Sequence, residues 1–275
     1  MAHTKARTDL LDILFNVLLI LAAVIMVFPF FWLVTTSLKL PQHVLLPDLW
    51  PKQITLMNYE GVFKKINILL YFFNTLRFAA VSTVFIISTS SLAGYVFAKY
   101  RFPYKEVLFL IMISTMMIPF ESYMVPLYLM MVKIRAVDTY FGLQLPYLIQ
   151  SLGTFFMRQN FESFPDEYLE AGRIEGASET TLFLRIALPN VKSAIGGLSI
   201  FVFSAEWGNL IWPLIITSSK RNFVMELGLT AFQHQYSVEY GQFAAAATLA
   251  VIPVVVFFVV FRTRIMEGIT LSGIK

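Results

Sequence analysis

The chain has 275 residues, of which 57% are hydrophobic and only 14% are charged, and its mean hydropathy is +0.70. Soluble domains carry about a quarter of charged residues, so this composition excludes an ordinary soluble domain and predicts that lipid surrounds most of the chain. The net charge of +4 comes from Lys and Arg residues scattered at the ends of apolar runs, which argues against nucleic-acid binding, and the lack of cysteine excludes disulfides, thiolate metal sites and thiol enzymes.

The first predicted element is an apolar run from Ile13 to Leu38 that contains no charged residue over about 26 positions. Basic residues precede it, as they do in a secretory signal peptide, but the run is too long for such a peptide and no clear small-residue cleavage site follows it. A hydrocarbon layer about 30 Å thick needs about 20 apolar residues in a helix. The segment 13–37 is therefore predicted to be an uncleaved membrane anchor helix.

Six stretches in all are mostly apolar and close to the length of a membrane-spanning helix. They are residues 13–37, 77–98, 107–132, 139–157, 193–217 and 241–261. Only helices fit, because strands would alternate in polarity and expose their hydrogen-bonding edges to lipid. The predicted fold class is all-α, a polytopic membrane protein with six transmembrane helices in a single domain over residues 1–275.

The distribution of basic residues favours an orientation with both termini in the cytoplasm. In that arrangement about 12 Lys and Arg residues lie on the cytoplasmic side and about 9 outside, and cytoplasmic loops carry the excess in membrane proteins. The basic residues of the short loop 99–106 and the two arginines after the last span agree with it. The segment 38–76, which precedes the five-helix core 77–261, is then external. The loop 158–192 within that core and the tail 262–275 after it are cytoplasmic.

Within the second of these segments, residues 163–177 have the boundary signals of a short helix. Ser163 and Asp166 match the capping-box spacing, and Pro165 suits the first helical turn. Gly176 supplies a stop, because glycine adopts the left-handed conformation at low cost.

A second helix is predicted to start at Ser178 and to end at Pro189, so that the loop forms a helical hairpin. In the first helix Ala171 and Gly172 are small, although the rest of the chain is crowded with bulky side chains. Small residues let another surface approach closely. The residues alone leave two interpretations open, a docking surface or a hairpin that merely lies on the membrane surface.

The spacing in this loop resembles that of a known family. The residues that carry the pattern are Glu170, Ala171, Gly176, Ile186, Leu188 and Pro189. The pattern resembles the loop that marks the membrane subunits of binding-protein-dependent ABC importers, with one departure, because Gly172 stands where the family usually has a second alanine. Glycine lowers helix propensity by up to about 1 kcal/mol. The resemblance implies that the helix pair sits in a cleft of an ATP-binding subunit, where Glu170 contacts basic groups and Gly176 makes the turn.

The resemblance extends over nearly the whole chain. The matching segments are Met57–Val62, Phe73–Thr75, Ala93–Phe102, Pro126–Tyr128 and Trp212–Leu214. They are similar to the carbohydrate branch of these permeases, and within it to the second, smaller membrane subunit of maltose permeases. The tail Gly268–Lys275 is similar to an extension that reaches toward the ATPase dimer in such subunits.

The resemblance implies a transport subunit of the bacterial cytoplasmic (inner) membrane and not an enzyme. No glycine in the chain directly precedes a lysine, so the phosphate-binding loop of an ATPase is absent. No cofactor is expected in this chain, because ATP and Mg²⁺ would bind to partner subunits. The expected partners are a second, unlike permease subunit in a heterodimer, two ATP-binding subunits, an extracytoplasmic substrate-binding protein, a carbohydrate substrate and the lipid bilayer, with no nucleic acid.

Two carboxylates lie inside otherwise uncharged spans, where an unpaired charge is costly. Glu121 lies between two prolines that should break the third span, and irregular backbone at membrane depth mainly lines cavities. Glu206 adjoins Trp207 and Asn209, and an aromatic face beside carboxylate and amide groups suits a sugar ring with its hydroxyls. These four residues are candidates for the substrate pathway. The alternatives are a structural carboxylate paired near the outer surface for Glu121, and interhelical packing and hydrogen bonding for the other three.

Other polar residues give weaker indications. Gln144 and Gln150 in the fourth span are lesser candidates for the same pathway. The family commonly has Trp followed by Asn where this chain has Trp207, Gly208 and Asn209, so the role of an asparagine does not transfer directly. The three histidines are isolated, lack the spacing of metal ligands and are expected to be solvent-exposed, namely His3, His43 and His234.

Three function classes remain for such a chain. The favoured class is a permease subunit that moves substrate by alternating access and is coupled to ATPase subunits. A secondary transporter or channel that works without ATP would predict inverted repeats, and the sequence shows none. A membrane-embedded enzyme would need clustered catalytic groups, which the acidic, histidine and hydroxyl residues do not form. Within the transport class the cargo is left open between a di- or oligosaccharide, a polyol phosphate and a uronic-acid oligosaccharide.

Overall fold

The computed structural model describes the backbone of residues 2–234 and 237–272 and the side chains of residues 12–233 and 239–260. The described residues form helices, loops and one pair of two-residue strands, so the predicted all-α class is confirmed. In chain order the helices are α1 (Ala2–Ser37), α2 (Met57–Lys65), α3 (Ile68–Lys99), α4 (Lys105–Ser114), α5 (Phe120–Lys133), α6 (Tyr140–Gln144), α7 (Ser151–Glu162), α8 (Glu167–Ile174), α9 (Glu179–Thr181), α10 (Leu188–Asn190), α11 (Lys192–Trp207), α12 (Ile211–Ile216), α13 (Met225–Leu229) and α14 (Tyr240–Ser272).

Shorter elements complete the description. A π-helical stretch, Leu182–Ala187, joins α9 to α10. The strands β1 (Gln233–His234) and β2 (Ser237–Val238) pair antiparallel. The chain divides into two compact units, the first made of residues 1–68 and 229–251 and the second of residues 69–228 and 252–275.

In the first unit, two polar side chains at the start of α2 hold the loop after α1. Asn58 Nδ2 donates hydrogen bonds to the carbonyl oxygens of Ser37 (2.9 Å) and Lys39 (2.7 Å), and the Tyr59 hydroxyl lies 2.8 Å from Ser37 Oγ. The last carbonyls of a helix have no partner inside it, so these bonds satisfy the end of α1. Most of the apolar side chains that the structure describes in α1 are exposed, and Ile25 retains 71% of its surface.

In the second unit, α3 is the central helix and three apolar clusters form along it. One cluster joins α3 to α7, α8 and α11, a second joins it to α5, α6 and α12, and a third joins it to α11 and α14. At Gly94 the approach of α3 to α7 is so close that a β-carbon would lie 2.7 Å from Met157 Cβ and 2.8 Å from the Arg158 nitrogen.

Three helices are long and apolar enough to cross a membrane, namely residues 12–37, 68–99 and 240–260. Two further candidates are pairs of helices with a bend between them. The bend is 98° between α4 and α5, and 76° between the helical stretch 179–190 and α11. If each pair counts as one span, the described residues contain up to five spans. The spans predicted at 13–37 and 241–261 agree with α1 and α14, and the span predicted at 77–98 is longer, because α3 begins at Ile68.

The third predicted span, 107–132, is broken as its prolines suggest. Pro119 precedes α5 in an extended conformation and cannot continue α4, because it lacks an N–H group and its ring clashes with the preceding turn. Pro126, by contrast, lies inside α5 and does not end it. The break therefore falls before Glu121 and not on both sides of it.

The fourth predicted span, 139–157, is not one helix. α6 is followed by a 3₁₀ turn containing Pro146, and an extended Gln150 precedes α7. Leu143 and Met157 are fully buried in the apolar clusters. Other apolar side chains of the run are exposed, among them Phe141 and Ile149, so its hydropathy does not show which of its side chains pack inside the protein. The six-span count and the orientation of the termini stay predictions.

Candidate functional site

The loop 158–192 is a helical hairpin, as predicted. α8 packs against the π-helical stretch that follows it, and Leu169 and Leu182 are fully buried between them. Gly172 lies at this contact, where a β-carbon would stand 2.6 Å from Leu182 Cδ2 and 3.0 Å from Ile186 Cδ1. Of the two small residues in α8, Gly172 therefore allows close packing within the loop, while Ala171 is exposed.

The turn of the hairpin is a Schellman motif. Gly176 has φ of +84°, its N–H donates to the Arg173 carbonyl (3.0 Å), and the Ala177 N–H donates to the Gly172 carbonyl (2.9 Å). A β-carbon at Gly176 would meet no atom within 4 Å, so backbone conformation and not space requires glycine here. The predicted stop at Gly176 is confirmed.

The start of the first helix differs from the prediction. Ser163 Oγ donates to the Asn160 carbonyl (2.8 Å) and ends α7, while α8 begins only at Glu167 and has no side-chain cap at Asp166. The predicted capping box is therefore wrong. The second helix is capped as expected, because Ser178 Oγ accepts the Thr181 N–H (3.3 Å).

The base of the loop is held by cations that the sequence indicated only as topological anchors. Lys99 Nζ, at the end of α3, is 4% exposed and donates to Asp166 Oδ1 (2.6 Å) and to the Phe164 carbonyl. Arg158 pairs with Glu162 (2.7 Å) and with Glu106 (3.0 Å). The Lys99 contacts fix the hairpin to α3, and Arg158 fixes α7, which leads into the hairpin, to α4.

A network of polar side chains also connects the two helices of the hairpin, α8 and α9. The Tyr100 hydroxyl donates to Glu179 Oε2, and Arg173 Nε donates to Glu179 Oε1 at 2.8 Å. The hydrogen bond from Arg173, followed by that from Tyr100, lowers the pKa of Glu179. Burial and the hydrogen bond to Glu179 raise the pKa of Tyr100 to about 12. No local sequence signal indicates this network, because its members are six and 73 or more positions apart.

The surface left open by these contacts lies at the tip of the hairpin. Glu170, Ala171 and Gly176 are exposed, and Ile174 retains 87% of its surface. Of the other residues in the family pattern, Pro189 is exposed and Ile186 and Leu188 are half-buried.

The candidates for the substrate pathway fall in different surroundings. Glu121 is exposed in the first turn of α5, and no described side chain pairs with it. Glu206 is buried at the end of α11 and accepts a hydrogen bond from Asn209 Nδ2 (3.1 Å). Tyr147 lies within hydrogen-bonding reach of Asn209 and close to Glu206. We call Glu206, Asn209 and Tyr147 the polar cluster.

Trp207 packs inside the second unit. Its ring contacts Phe72 edge-on and stacks on Phe203, both at 5.7 Å between centroids, and only 3% of the residue is exposed. Gln144 is also engaged, since its Nε2 donates to Ser82 Oγ (2.6 Å) and its Oε1 accepts from the Tyr140 hydroxyl (2.8 Å).

The remaining polar predictions concern isolated residues. Gln150 is half-buried. His43 is half-buried and not fully exposed as expected, while the side chains of His3 and His234 lie outside those described. No group of three or more potential metal ligands occurs among the described residues.

The sequence matches a family model described as "Binding-protein-dependent transport system inner membrane component" over residues 90–269. The arabinooligosaccharides transport system permease protein AraQ of Bacillus subtilis is 33% identical over 254 residues, which cover 90% of each chain. The lactose transport system permease protein LacG of Rhizobium radiobacter is 28% identical over 272 residues, which cover 99% of each chain.

A solved structure has a similar fold. It is a bacterial ABC transporter involved in the import of the acidic polysaccharide alginate, and the superposition gives a TM-score of 0.79 at 20% identity, covering 93% of this chain and 96% of that chain.

Proposed function

Because the chain belongs to the family of binding-protein-dependent transport system inner membrane components, we propose that it moves a carbohydrate, a di- or oligosaccharide, across the cytoplasmic membrane by alternating access. Members of the family are permease subunits of ABC importers and not enzymes. The energy would come from ATP and Mg²⁺ bound to two separate ATP-binding subunits, and a second, unlike permease subunit would complete the membrane channel.

The observation that carries the proposal is the open tip of a hairpin whose base is fixed. Glu170, Ala171 and Ile174 are exposed at this tip. Leu169 and Gly172, by contrast, are buried and pack within the loop. An exposed, uncharged side chain as large as Ile174 beside a carboxylate suits a protein contact better than open water. We propose that this tip docks in a cleft of an ATP-binding subunit, with Glu170 facing basic groups there.

Rigidity at the base lets such a contact transmit force. Lys99 connects the hairpin to the long helix α3, and Arg158 connects α7, which leads into the hairpin, to α4. The apolar cluster that contains Leu169 continues through α11. A movement of the docked tip would therefore shift these helices together, which is the coupling that alternating access requires.

The polar cluster is the best-supported part of the route for the cargo. Glu206, Asn209 and Tyr147 present carboxylate, amide and phenol groups at one place in the apolar interior, where polar groups are expensive and are usually functional. Glu121 would line the route at the mouth formed by the bend before α5. Trp207 contributes by packing behind Glu206.

The class of cargo is supported by the relatives, two of which are named for arabinooligosaccharides and lactose. An acidic oligosaccharide is the second candidate, because the structural neighbour is involved in importing alginate. Comparing uptake of neutral and uronic-acid oligosaccharides by the reconstituted complex would separate these candidates.

The docking proposal is tested by Glu170→Arg and Gly176→Val in the complete transporter reconstituted in lipid. The first reverses the charge at the tip, and the second places a β-branched residue at φ of +84°, which distorts the turn. We expect substrate-stimulated ATPase activity to fall at least about tenfold, with Tyr104→Phe, an exposed residue outside the hairpin, as the control.

Full activity in both variants, with assembly intact, would refute the docking role. Substrate currents or uptake by the purified chain without ATP would instead favour the secondary transporter.

A further inference from the structure

The polar cluster contains the one carboxylate that is buried among the described side chains. Glu206 keeps 5% of its surface, whereas every other described Asp and Glu is half-buried or exposed. The two buried cations are well supplied with partners. Lys39 bonds the Leu46 carbonyl and lies over a tryptophan ring, and Arg158 pairs with two carboxylates.

Glu206, by contrast, has a single neutral partner. Asn209 Nδ2 donates to its Oε2 at 3.1 Å, and no described group donates to its Oε1. No described Lys or Arg lies within ion-pairing distance of it. A buried carboxylate is costly unless several hydrogen bonds or a cation satisfy it, so its presence here indicates that a further hydrogen-bond donor binds at Oε1.

The polar groups beside Glu206 come from three elements of the second unit. After α11 the chain turns back, so that the Asn209 N–H also donates to the Glu206 carbonyl at 3.3 Å. Tyr147, in the 3₁₀ turn after α6, lies within hydrogen-bonding reach of Asn209. Tyr123 of α5 is close enough to Tyr147 to interact with it electrostatically. Carboxylate, amide and two phenol groups therefore lie together.

Aromatic contacts hold the two phenol rings in place. The Tyr147 ring meets Phe78 edge-on, and the Tyr123 ring meets Phe120 in the same way, both at 5.3 Å between centroids. Tyr123 nevertheless keeps 44% of its surface, so an aromatic ring stays open beside the buried carboxylate. An apolar surface with a few fixed polar groups is the usual form of a small-molecule site, and here it suits a sugar ring with its hydroxyls.

The charge of Glu206 separates two classes of cargo. A sugar hydroxyl can donate to Oε1, and a hydrogen bond to a carboxylate is stronger than one between neutral groups. A uronic acid brings a second carboxylate, which has no hydrogen to donate and is repelled, most strongly where water is excluded. Placing an unpaired charge against a competing ligand is a general way to reject it.

We propose that Glu206 is a specificity-determining residue, which admits uncharged oligosaccharides by accepting their hydroxyl groups at Oε1 and excludes uronic-acid oligosaccharides by its charge. The proposal rests on the proposed function and narrows its cargo to the first of the two candidates given there. Asn209 acts as a positioning residue, because its two bonds to Glu206 hold the carboxylate and leave Oε1 free.

The direct test measures charge at the site with Tyr123→Cys in the complete transporter in phosphatidylcholine nanodiscs, since the chain contains no other cysteine. An anionic reagent, sulfonatoethyl methanethiosulfonate, is compared with its neutral hydroxyethyl counterpart at mildly alkaline pH, and the mass of this chain reports each rate. We expect Glu206→Gln to raise the rate of the anionic reagent relative to the neutral one at least about threefold. The control is Glu226→Gln, which alters a half-buried carboxylate of the same unit outside the polar cluster and should leave the ratio unchanged.

The second arm measures how sugars protect the same cysteine from the neutral reagent. Arabinotriose or lactose should slow the modification in the Tyr123→Cys chain, and trigalacturonate should not. With Glu206→Gln added, trigalacturonate should protect as well as the neutral sugar does. If that chain does not assemble, Glu206→Met removes the same charge, suits apolar surroundings and should give the same ratio of reagent rates.

An unchanged ratio of reagent rates after loss of the Glu206 charge would overturn the inference, because Glu121, two positions from the label, is present in every chain compared. So would equal protection by all three sugars in the Tyr123→Cys chain, or protection by none of them. A wild-type complex that takes up no sugar on addition of ATP would refute the proposed function instead, while the reagent ratio would still report the charge at this site.

Discussion

Polar residues in the apolar spans of this chain mostly satisfy backbone groups. Thr75 Oγ1, fully buried in α3, accepts the Met225 N–H at 2.7 Å and donates to the Tyr71 carbonyl at 2.8 Å. Asn58 and Asn74 donate hydrogen bonds to backbone carbonyls of the segments after α1 and before α13. A buried N–H without a partner costs about 1–3 kcal/mol, so these residues are needed for folding in lipid. Their place in family-like motifs therefore indicates a shared scaffold and not contact with the cargo.

The Glu179 network gives a prediction about pH. The pKa of Glu179 lies below its ordinary value of 4.5, chiefly because of the hydrogen bond from Arg173. A group with a lowered pKa stabilises the fold above its ordinary pKa, and that contribution is lost as the pH falls through the lowered value. We expect the hairpin to stay ordered from neutral pH down to the ordinary value of 4.5 and to loosen only at lower pH.

The measurement uses a spin label on Ile174→Cys, which is a unique attachment point because the chain contains no cysteine. The control adds Glu179→Gln, which should raise the mobility of the label already at neutral pH and remove the change in mobility at acid pH. An identical acid transition in both chains would assign the loosening to another group.

At the residue scale the sequence predicted Gly176 correctly because a left-handed turn leaves a local signal that glycine alone supplies. It could not separate Gly172 from Ala171, because neighbouring positions on a helix face different directions and only the packing partner decides which one is buried. The capping box at Ser163 failed for a related reason. The same side chain also fits the end of the preceding helix, where it bonds Asn160.

At the scale of the elements, two glycines in helices of the second unit test how closely those helices pack. Gly94 faces the backbone of Met157 and Arg158, while Gly197 in α11 has no atom within 4 Å of its β-carbon position. Both lie in helix interiors, so alanine should help at either site by about 0.5–1 kcal/mol if space allowed it. At Gly94 overpacking against backbone should instead cost about 1–3 kcal/mol.

We therefore expect Gly94→Ala to lower the midpoint of thermal unfolding of the lipid-reconstituted chain, and Gly197→Ala to leave it unchanged or raise it. Tryptophan fluorescence can follow both transitions, since Trp207 and Trp212 are buried in the same unit. A gain in stability at Gly94 would mean that α3 and α7 are farther apart than the structure has them.

Among the elements, long uninterrupted apolar helices were predictable, whereas of the broken ones only the break in 107–132 was indicated by the sequence. The candidate spans within α1 and α14, residues 12–37 and 240–260, lie within one residue of the predicted bounds. Nothing in their sequences stops a helix within the membrane except single prolines, Pro29 and Pro253, which the helices tolerate. The segment 139–157 reads as a span by hydropathy, yet Pro146 and packing against α3 divide it. Burial in protein and burial in lipid select the same residue types, so composition cannot distinguish them.

For the whole molecule, coupling to the ATP-binding subunits depends on whether residues 139–157 cross the membrane. The hairpin 158–192 can meet ATP-binding subunits only if it lies in the cytoplasm, on the same side as the loop that contains Tyr104. Between them lie the bent pair α4–α5 and the divided segment 139–157. Two crossings return the chain to the same side, whereas a single crossing would leave the hairpin outside. The function proposed for the tip thus requires that 139–157 cross the membrane despite its breaks.

Cysteine scanning decides this in the otherwise cysteine-free chain. We expect a membrane-impermeant maleimide to label Lys52→Cys and Lys220→Cys in intact spheroplasts, and to label Tyr104→Cys and Glu175→Cys only after permeabilisation. All four positions are exposed, so protection reports the membrane and not packing. Labelling of Glu175→Cys from outside with Tyr104→Cys protected would show that 139–157 does not cross. The hairpin would then lie outside, where no ATP-binding subunit could reach it.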